Sequence, residues 1–374
     1  MKKSLTGRER IISIFNGKTP DRPAVKLWGL EPDQELKHPA YRAIYKLGIQ
    51  YTDLTPYAES PINLLFGSRW NDISEIEVKP TDSDEWIDIE TKVHLPEGRI
   101  LKSIYRRSTI GKPGRIMEFF IKEPDDLSEI MKIPYEPYPF NPKPFFEMEG
   151  KVGDRGVTMF ILPEPVYHLQ RHMGSENLAV LSKDCRDLII ETLNILVKRV
   201  KLHAMEALKS NINTIMGWTG PEVCIPPLMS LDDFEDFVFA IDKPVIDLVH
   251  ENGGRFWVHS HGKMSGIIDR FAEMGVDVLN PIEPPPMGDI TLEDAFCKVG
   301  DRMGLEGNIE VDELMLSSNE RIKYLVRNAL DIGRRYGRFI LCLSSGYMET
   351  PEPSDILIEN LATYIVEAIS YVSE

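Results

Sequence analysis

From about residue 156 onward the chain repeats one unit: a short apolar run, then Gly, Pro or polar residues, then a stretch of helical periodicity. The apolar runs are Gly156–Leu162, Ile212–Met216, Phe256–Val258, Val276–Leu279, Met303–Leu305 and Phe339–Leu343. Between them lie helical patterns such as Asn177–Met205, Leu231–Asn252, Gly262–Met274, Asn319–Arg335 and Ser354–Val372. Strands that are apolar throughout and alternate with helices point to a parallel sheet covered by those helices. With the earlier run Ala24–Leu27 the units approach the eight of a closed barrel. The Gly-rich phosphate loop that usually follows the first strand of an open doubly wound sheet is not present. The expected fold is a single (β/α)8 TIM barrel over residues 1–374.

The first half departs from this repeat. After a helix over Gly7–Asn16, residues 73–121 alternate apolar with polar, as in Glu85-Trp-Ile-Asp-Ile and Thr91-Lys-Val-His-Leu, and are broken by Pro-Glu-Gly and Gly-Lys-Pro-Gly turns. That pattern predicts an antiparallel meander inserted into the barrel. The five prolines of 134–144 make an extended connector to the second half. Ser230 with Asp233 has the form of a capping box, Gly253-Gly254 supplies a helix stop, and Pro244 is expected to kink or divide the helix between them.

Acidic residues outnumber basic ones 59 to 43, and Lys and Arg are nowhere interleaved with aromatics. Both observations exclude a nucleic-acid partner. No apolar stretch reaches the length of a membrane span, and the opening lacks the apolar core and cleavage site of a secretory signal. Cys185, Cys224, Cys297 and Cys342 are far apart with no C-x-x-C spacing, so neither a disulfide framework nor a cysteine-only zinc knuckle is expected. A reducing cytosol fits.

A barrel of this kind works at the C-terminal ends of its strands. There the chain places Pro163-Glu164-Pro165, Trp218-Thr219-Gly220-Pro221-Glu222, His259-Ser260-His261-Gly262-Lys263, Asn280-Pro281-Ile282-Glu283, Glu306-Gly307-Asn308 and Ser344-Ser345-Gly346. Residues two apart on an extended segment share a face, so His259 and His261 can share one metal ion. Glu283, after the next strand, can add an oxygen ligand. Glu164 and Glu222 are held by neighbouring Pro or Gly and serve either as reacting carboxyls or as charges at helix N-termini. Asn308 suits a tight turn or a catalytic amide. Lys263 is a solvated charge or the anchor of an anionic group. His168 and His172, on one helix face, either bind metal or line a surface. Trp218 and Trp257 are expected in the core.

These strand ends resemble the uroporphyrinogen-decarboxylase-like superfamily, which includes the decarboxylase and zinc-dependent methyltransferases that work with corrinoid proteins. Thr6-Gly-Arg-Glu-Arg with Asn16-Gly-Lys-Thr-Pro-Asp-Arg-Pro is similar to the methyltransferase opening, and Ile121-Lys-Glu-Pro-Asp-Asp-Leu to the segment after its meander. The His259 strand end, Gly307-Asn308-Ile309 and Phe339-Ile-Leu follow in the family's order. The decarboxylase's arginine-rich carboxylate-binding segment has no counterpart, since Leu27-Trp-Gly-Leu-Glu-Pro-Asp stands there. Decarboxylation is therefore not expected.

The resemblance implies a zinc site of the form His-x-Cys plus a distant Cys before Gly. Here His259 keeps the first position, His261 replaces the first Cys, Ser345 replaces the second, and Cys342 is out of register. Imidazole and carboxylate leave zinc a stronger Lewis acid than thiolates do, which suits cleavage of a methyl ether or amine better than activation of a thiol. The implied activity is methyl transfer from a small O- or N-methylated substrate to the cobalt of a partner corrinoid (cobalamin) protein. Zinc would sit on His259 and His261 with Glu283 or Glu222, Glu164 would supply a proton, and Lys263 and Ser345 would contact the cofactor. Transfer from a methylcorrinoid to tetrahydrofolate or a thiol, and a non-catalytic corrinoid-protein-binding role, are the alternatives.

Overall fold

The computed structural model describes residues 4–348 and 350–373. Two short strands, β1 (Ala24–Val25) and β2 (Tyr57–Ala58), precede the meander of β3 (Ser74–Pro80), β4 (Trp86–His94), β5 (Ile100–Ser108) and β6 (Arg115–Glu118). Then come β7 (Met159–Ile161), β8 (Ile215–Thr219), β9 (Arg255–His259), β10 (Val278–Asn280), β11 (Gly304–Ile309) and β12 (Phe339–Leu343). Eight strands form one parallel sheet in the order β1-β12-β11-β10-β9-β8-β7-β2. The sheet curls until its edges meet. The Asp53 amide, just before β2, donates to the Val25 carbonyl (2.7 Å), and the Val25 amide donates to the Asp53 carboxylate (2.9 Å). The TIM-barrel-like fold and its antiparallel four-stranded addition are thus as the sequence predicts.

The barrel interior is a separate apolar cluster. Ala24, Met159, Ile215, Trp257, Val278 and Ile340 come from six of its strands, and Ile11, Ile14 and Phe15 of the helix Gly7–Phe15 pack beneath them. That helix closes the floor and leaves the C-terminal strand ends as the mouth. Trp218 belongs to the outer layer, its ring 4.5 Å from that of Phe256. Among the described residues no helix is long and apolar enough to cross a membrane.

Strand β8 can lie against β9 because Gly217 has no side chain: a Cβ there would come within 2.4 Å of the Trp257 carbonyl oxygen and 3.0 Å of its ring. Backbone cannot yield as a flexible side chain would. Gly217→Ala is therefore expected to cost about 1–3 kcal/mol, measured as a lower urea midpoint; an unchanged midpoint contradicts this packing.

The helices differ from the sequence expectation in three places. The pattern over Asn177–Met205 is divided between Pro165–Asp184 and Arg186–Lys209; its apolar periodicity runs on because both helices bury residues in one core. In Leu231–Asn252 the irregularity precedes Pro244. A π-helical turn at Glu235–Phe239 joins Leu231–Phe234 to Ala240–Glu251, and Pro244 sits inside the latter. The wider turn comes just before the point where proline removes a helical hydrogen bond. Finally, helix begins only at Ile268, because the Gly262 and Ser265 amides are spent on the carboxylates of Glu283 and Asp289, each at 2.9 Å. The Ser230–Asp233 capping box is present.

Candidate active site

His259 is the last residue of β9 and lies beside Asn280, the last of β10. Its Nδ1 is 2.6 Å from Asn280 Oδ1. It is 7% exposed, and burial, with His261 and Lys26 nearby, pushes its pKa down to about 3. His259 is therefore a neutral imidazole at physiological pH. The His261 ring stands perpendicular to it, centroids 4.5 Å apart. His261 Nδ1 is 2.8 Å from Glu283 Oε1, while Glu283 Oε2 accepts from the Gly262 amide. Burial alone would lower the pKa of His261, but the Glu283 hydrogen bond and the charges of Glu283, Glu222 and Glu310 outweigh it and hold it above the ordinary value. Neither Nε2 has a hydrogen-bond partner among the described residues. Both rings are thus held through Nδ1 and free at Nε2.

Glu283 stands behind His261, on its Nδ1. Two other carboxyls influence His261. Glu222, in the turn Pro221–Cys224 after β8, is raised by burial and further by Glu283, with His261 acting against, and its Oε2 is buried without a partner among the described residues. Glu310, directly after β11, is pushed up to about 7 by burial and the Glu283 charge. Its Oε2 accepts from the Ser344 hydroxyl at 3.0 Å, and its Oε1 is likewise buried and unpartnered. No group of three or more His, Cys, Asp or Glu side chains among the described residues is arranged to hold a metal ion. The fit to zinc therefore rests on two oriented imidazoles, with Glu222 and Glu310, each with a spare oxygen, close enough to His261 for their charges to act on it. A buried oxygen lacking a donor is one that a cation would satisfy.

Glu164 caps the helix Pro165–Asp184, accepting from the amides of Val166 (3.0 Å) and Tyr167 (2.5 Å). It also lines a cavity of about 470 Å3 between the meander and the barrel mouth, with Tyr105, Phe120, His168, His172 and Thr219. Burial raises its pKa to about 8, helped by Glu222 and opposed by the two amides. Asp242 is raised well above the carboxylate range by burial and by Glu164. Both Asp242 oxygens are buried without a hydrogen-bond partner among the described residues, and each carboxyl disfavours ionisation of the other. The folded state holds the Glu164 proton more tightly than the unfolded chain, so the stability it contributes is full below pH 4.5 and lost as pH rises toward about 8. Asp242→Asn, which removes one of the two buried carboxyls, is expected to raise the thermal midpoint at pH 8 and flatten its decline between pH 5 and 8. A midpoint at pH 8 no higher than that of the unaltered protein contradicts this coupling.

The other candidates are less engaged. Asn308, in β11, is half-buried and lines a separate groove of about 630 Å3 with Glu310 and Glu313. Lys263 is exposed and Ser345 half-buried, and neither side chain forms a hydrogen bond or ion pair among the described residues. Cys342 is fully buried, its thiol pushed well up by burial and by Glu306. His168 and His172 stack edge to face, centroids 4.9 Å apart, and burial depresses both, His172 to about 4. Four residues near the paired histidines carry more than their place in the sequence suggests: Lys26, Asn280 and Glu306 beside His259, and Glu310 beside His261. Lys26 was visible as a single charge inside the apolar run Ala24–Leu27, where a charge needs a buried partner, and Glu306 as the charge directly after the run Met303–Leu305.

An α/β barrel with paired histidines and spare carboxyls at its mouth is the class that fold and site define. The sequence profile of the uroporphyrinogen decarboxylase (URO-D) family matches residues 222–363, the span that holds His259, His261, Glu283 and Glu310. A solved methyltransferase from Methanosarcina mazei is similar in structure, with a TM-score of 0.62 and 15% sequence identity, covering 98% of this chain and 99% of its own. That likeness shows the fold. The profile match bears out the resemblance to the uroporphyrinogen-decarboxylase-like superfamily over residues 222–363. The Bacillus subtilis YkuI protein (TM-score 0.28, 13% identity, 81% of this chain and 62% of its own) is too distant to support an argument. So is the muconate lactonizing enzyme of Pseudomonas putida (0.24, 10%, 79% and 76%). No curated protein matches the chain by sequence.

Proposed function

We propose that this protein is a methyltransferase that moves a methyl group from a small O- or N-methylated compound to the reduced cobalt of a corrinoid carried by a partner protein, at a zinc site built on His259 and His261. The supporting observation is the orientation of the two imidazoles, each held by an acceptor on Nδ1 and, among the described residues, unpartnered at Nε2 at the open end of the barrel. Histidines that bind metals are held in this way. A bound zinc would supply Lewis acidity toward the leaving heteroatom. Glu283 then holds His261 in place, and Glu222 and Glu310 are the carboxyls with oxygens to spare. Glu164 carries a proton in the neutral range and faces the cavity beside Thr219, the register partner of His259. In the overall change the heteroatom–methyl bond breaks and a cobalt–carbon bond forms. The heteroatom keeps its electron pair and takes the proton from Glu164.

The test is to mix zinc-loaded protein with cob(I)alamin and a panel of methyl ethers and methylamines, following methylcobalamin by absorbance. Zinc-dependent formation with at least one donor is expected. Transfer only from methylcobalamin to tetrahydrofolate or a thiol, or equal rates without zinc, contradicts the proposal.

A further inference from the structure

We infer that Lys26, Glu306 and Asn280 form a positioning chain that decides which ring nitrogen of His259 carries the proton, so that its Nε2 lone pair faces the barrel mouth. The inference deepens the proposed zinc site and takes its purpose from that reading, but its geometry stands independently.

The chain joins residues of β11, β10 and β9 to Lys26 at the end of β1, reaching past β12, which lies between β1 and β11. Lys26, directly after β1, places Nζ 2.8 Å from Glu306 Oε1 on β11; the same oxygen accepts from Asn280 Nδ2 on β10 at 3.1 Å. Glu306 Oε2 accepts from Trp257 Nε1 on β9 at 3.1 Å. Lysine ammonium and indole N–H only donate, so the carboxylate between them accepts on both sides. That settles the amide of Asn280, whose two ends are otherwise interchangeable in shape. Turned over, it would set its oxygen against the carboxylate and its NH2 against Nδ1. As it stands, Asn280 Oδ1 faces His259, and an amide oxygen can only accept. Nδ1 of His259 must therefore be the N–H nitrogen and Nε2 the bare one.

Water cannot take over these roles, since Lys26, Asn280 and Glu306 are at most 2% exposed. The ring plane is held as well. Trp28 lies 4.5 Å from the His259 ring, and Lys26 Nζ sits 5.2 Å from the Trp28 ring centroid and 5.3 Å from that of Trp257. His261 is held through its Nδ1 by Glu283, near the protein surface.

The tautomer can be read directly by long-range 1H–15N NMR of 15N-histidine-labelled, metal-free protein, with the His259 signals assigned by their loss in His259→Gln. The unaltered protein is expected to show His259 as the Nδ1–H form. Asn280→Leu removes the acceptor and Glu306→Gln frees the amide to turn. Each should move His259 toward the Nε2–H form and weaken zinc binding about 10–100-fold. Should Glu306→Gln fail to fold with Lys26 unpaired, Lys26→Met/Glu306→Gln removes both charges together. An Nε2–H signal in the unaltered protein overturns the chain without need of any variant, as does an unmoved tautomer in a folded variant. If the tautomer moves as expected but the unaltered protein binds no zinc, the chain stands and the zinc reading falls.

Discussion

Replacing His259 by alanine is expected to lower methyl transfer about 10³-fold in kcat/KM, with the fold retained. A Lewis acid supplies several kcal/mol of stabilisation to the leaving heteroatom, and about 4 kcal/mol corresponds to about 10³ in rate. His259 is the better ring to remove because it is the more buried of the pair and is kept neutral, with its pKa at about 3. Truncation leaves Asn280 Oδ1 without its 2.6 Å partner, at about 1–3 kcal/mol, which a domain of this size survives. Zinc content should fall in parallel with activity. A variant that keeps more than about one-tenth of the rate would mean that His259 is structural and the chemistry lies elsewhere.

Lys26→Met is expected to cost about 3–5 kcal/mol of stability, because it leaves the Glu306 carboxylate buried without its cation. The pair is 2.8 Å apart with side-chain exposures of 3% and 1%, so solvent cannot compensate. What remains around Glu306 includes only neutral donors, the Trp257 indole, the Asn280 amide and the Cys342 thiol, among the described residues. Lys26→Met/Glu306→Gln should recover most of the loss, since removing both charges also removes the cost of burying them. Urea unfolding of the two variants measures this, and equal midpoints for single and double variants would show that the ion pair is not what matters there.

Much of the fold was legible because buried parallel strands and amphipathic helices are written in local periodicity. The break at Glu235–Phe239 was not, since a π turn changes hydrogen bonding without changing which residues are apolar. The paired histidines were legible because i, i+2 spacing on an extended segment puts two side chains on one face. Which acceptor holds each ring was not, because that depends on which strands become neighbours. Glu283 looked like a ligand from its place after β10, whereas in the fold it reaches back to Nδ1 of His261 and the Gly262 amide. Lys26 and Glu306 are 280 residues apart and meet only when the barrel closes. Glu310 was hidden for a different reason. It follows Ile309 as an ordinary polar residue after a strand, and only its burial beside Glu283 sets it apart.

The proposed zinc site is built on two imidazoles, His259 and His261, with no thiolate, and zinc K-edge X-ray absorption of the purified protein, never exposed to chelator, tests it most directly. One zinc per chain is expected, with a first shell of nitrogen and oxygen at about 2.0–2.2 Å and outer-shell scattering from imidazole. Absence of stoichiometric zinc, or a sulfur ligand at about 2.3 Å, would contradict it.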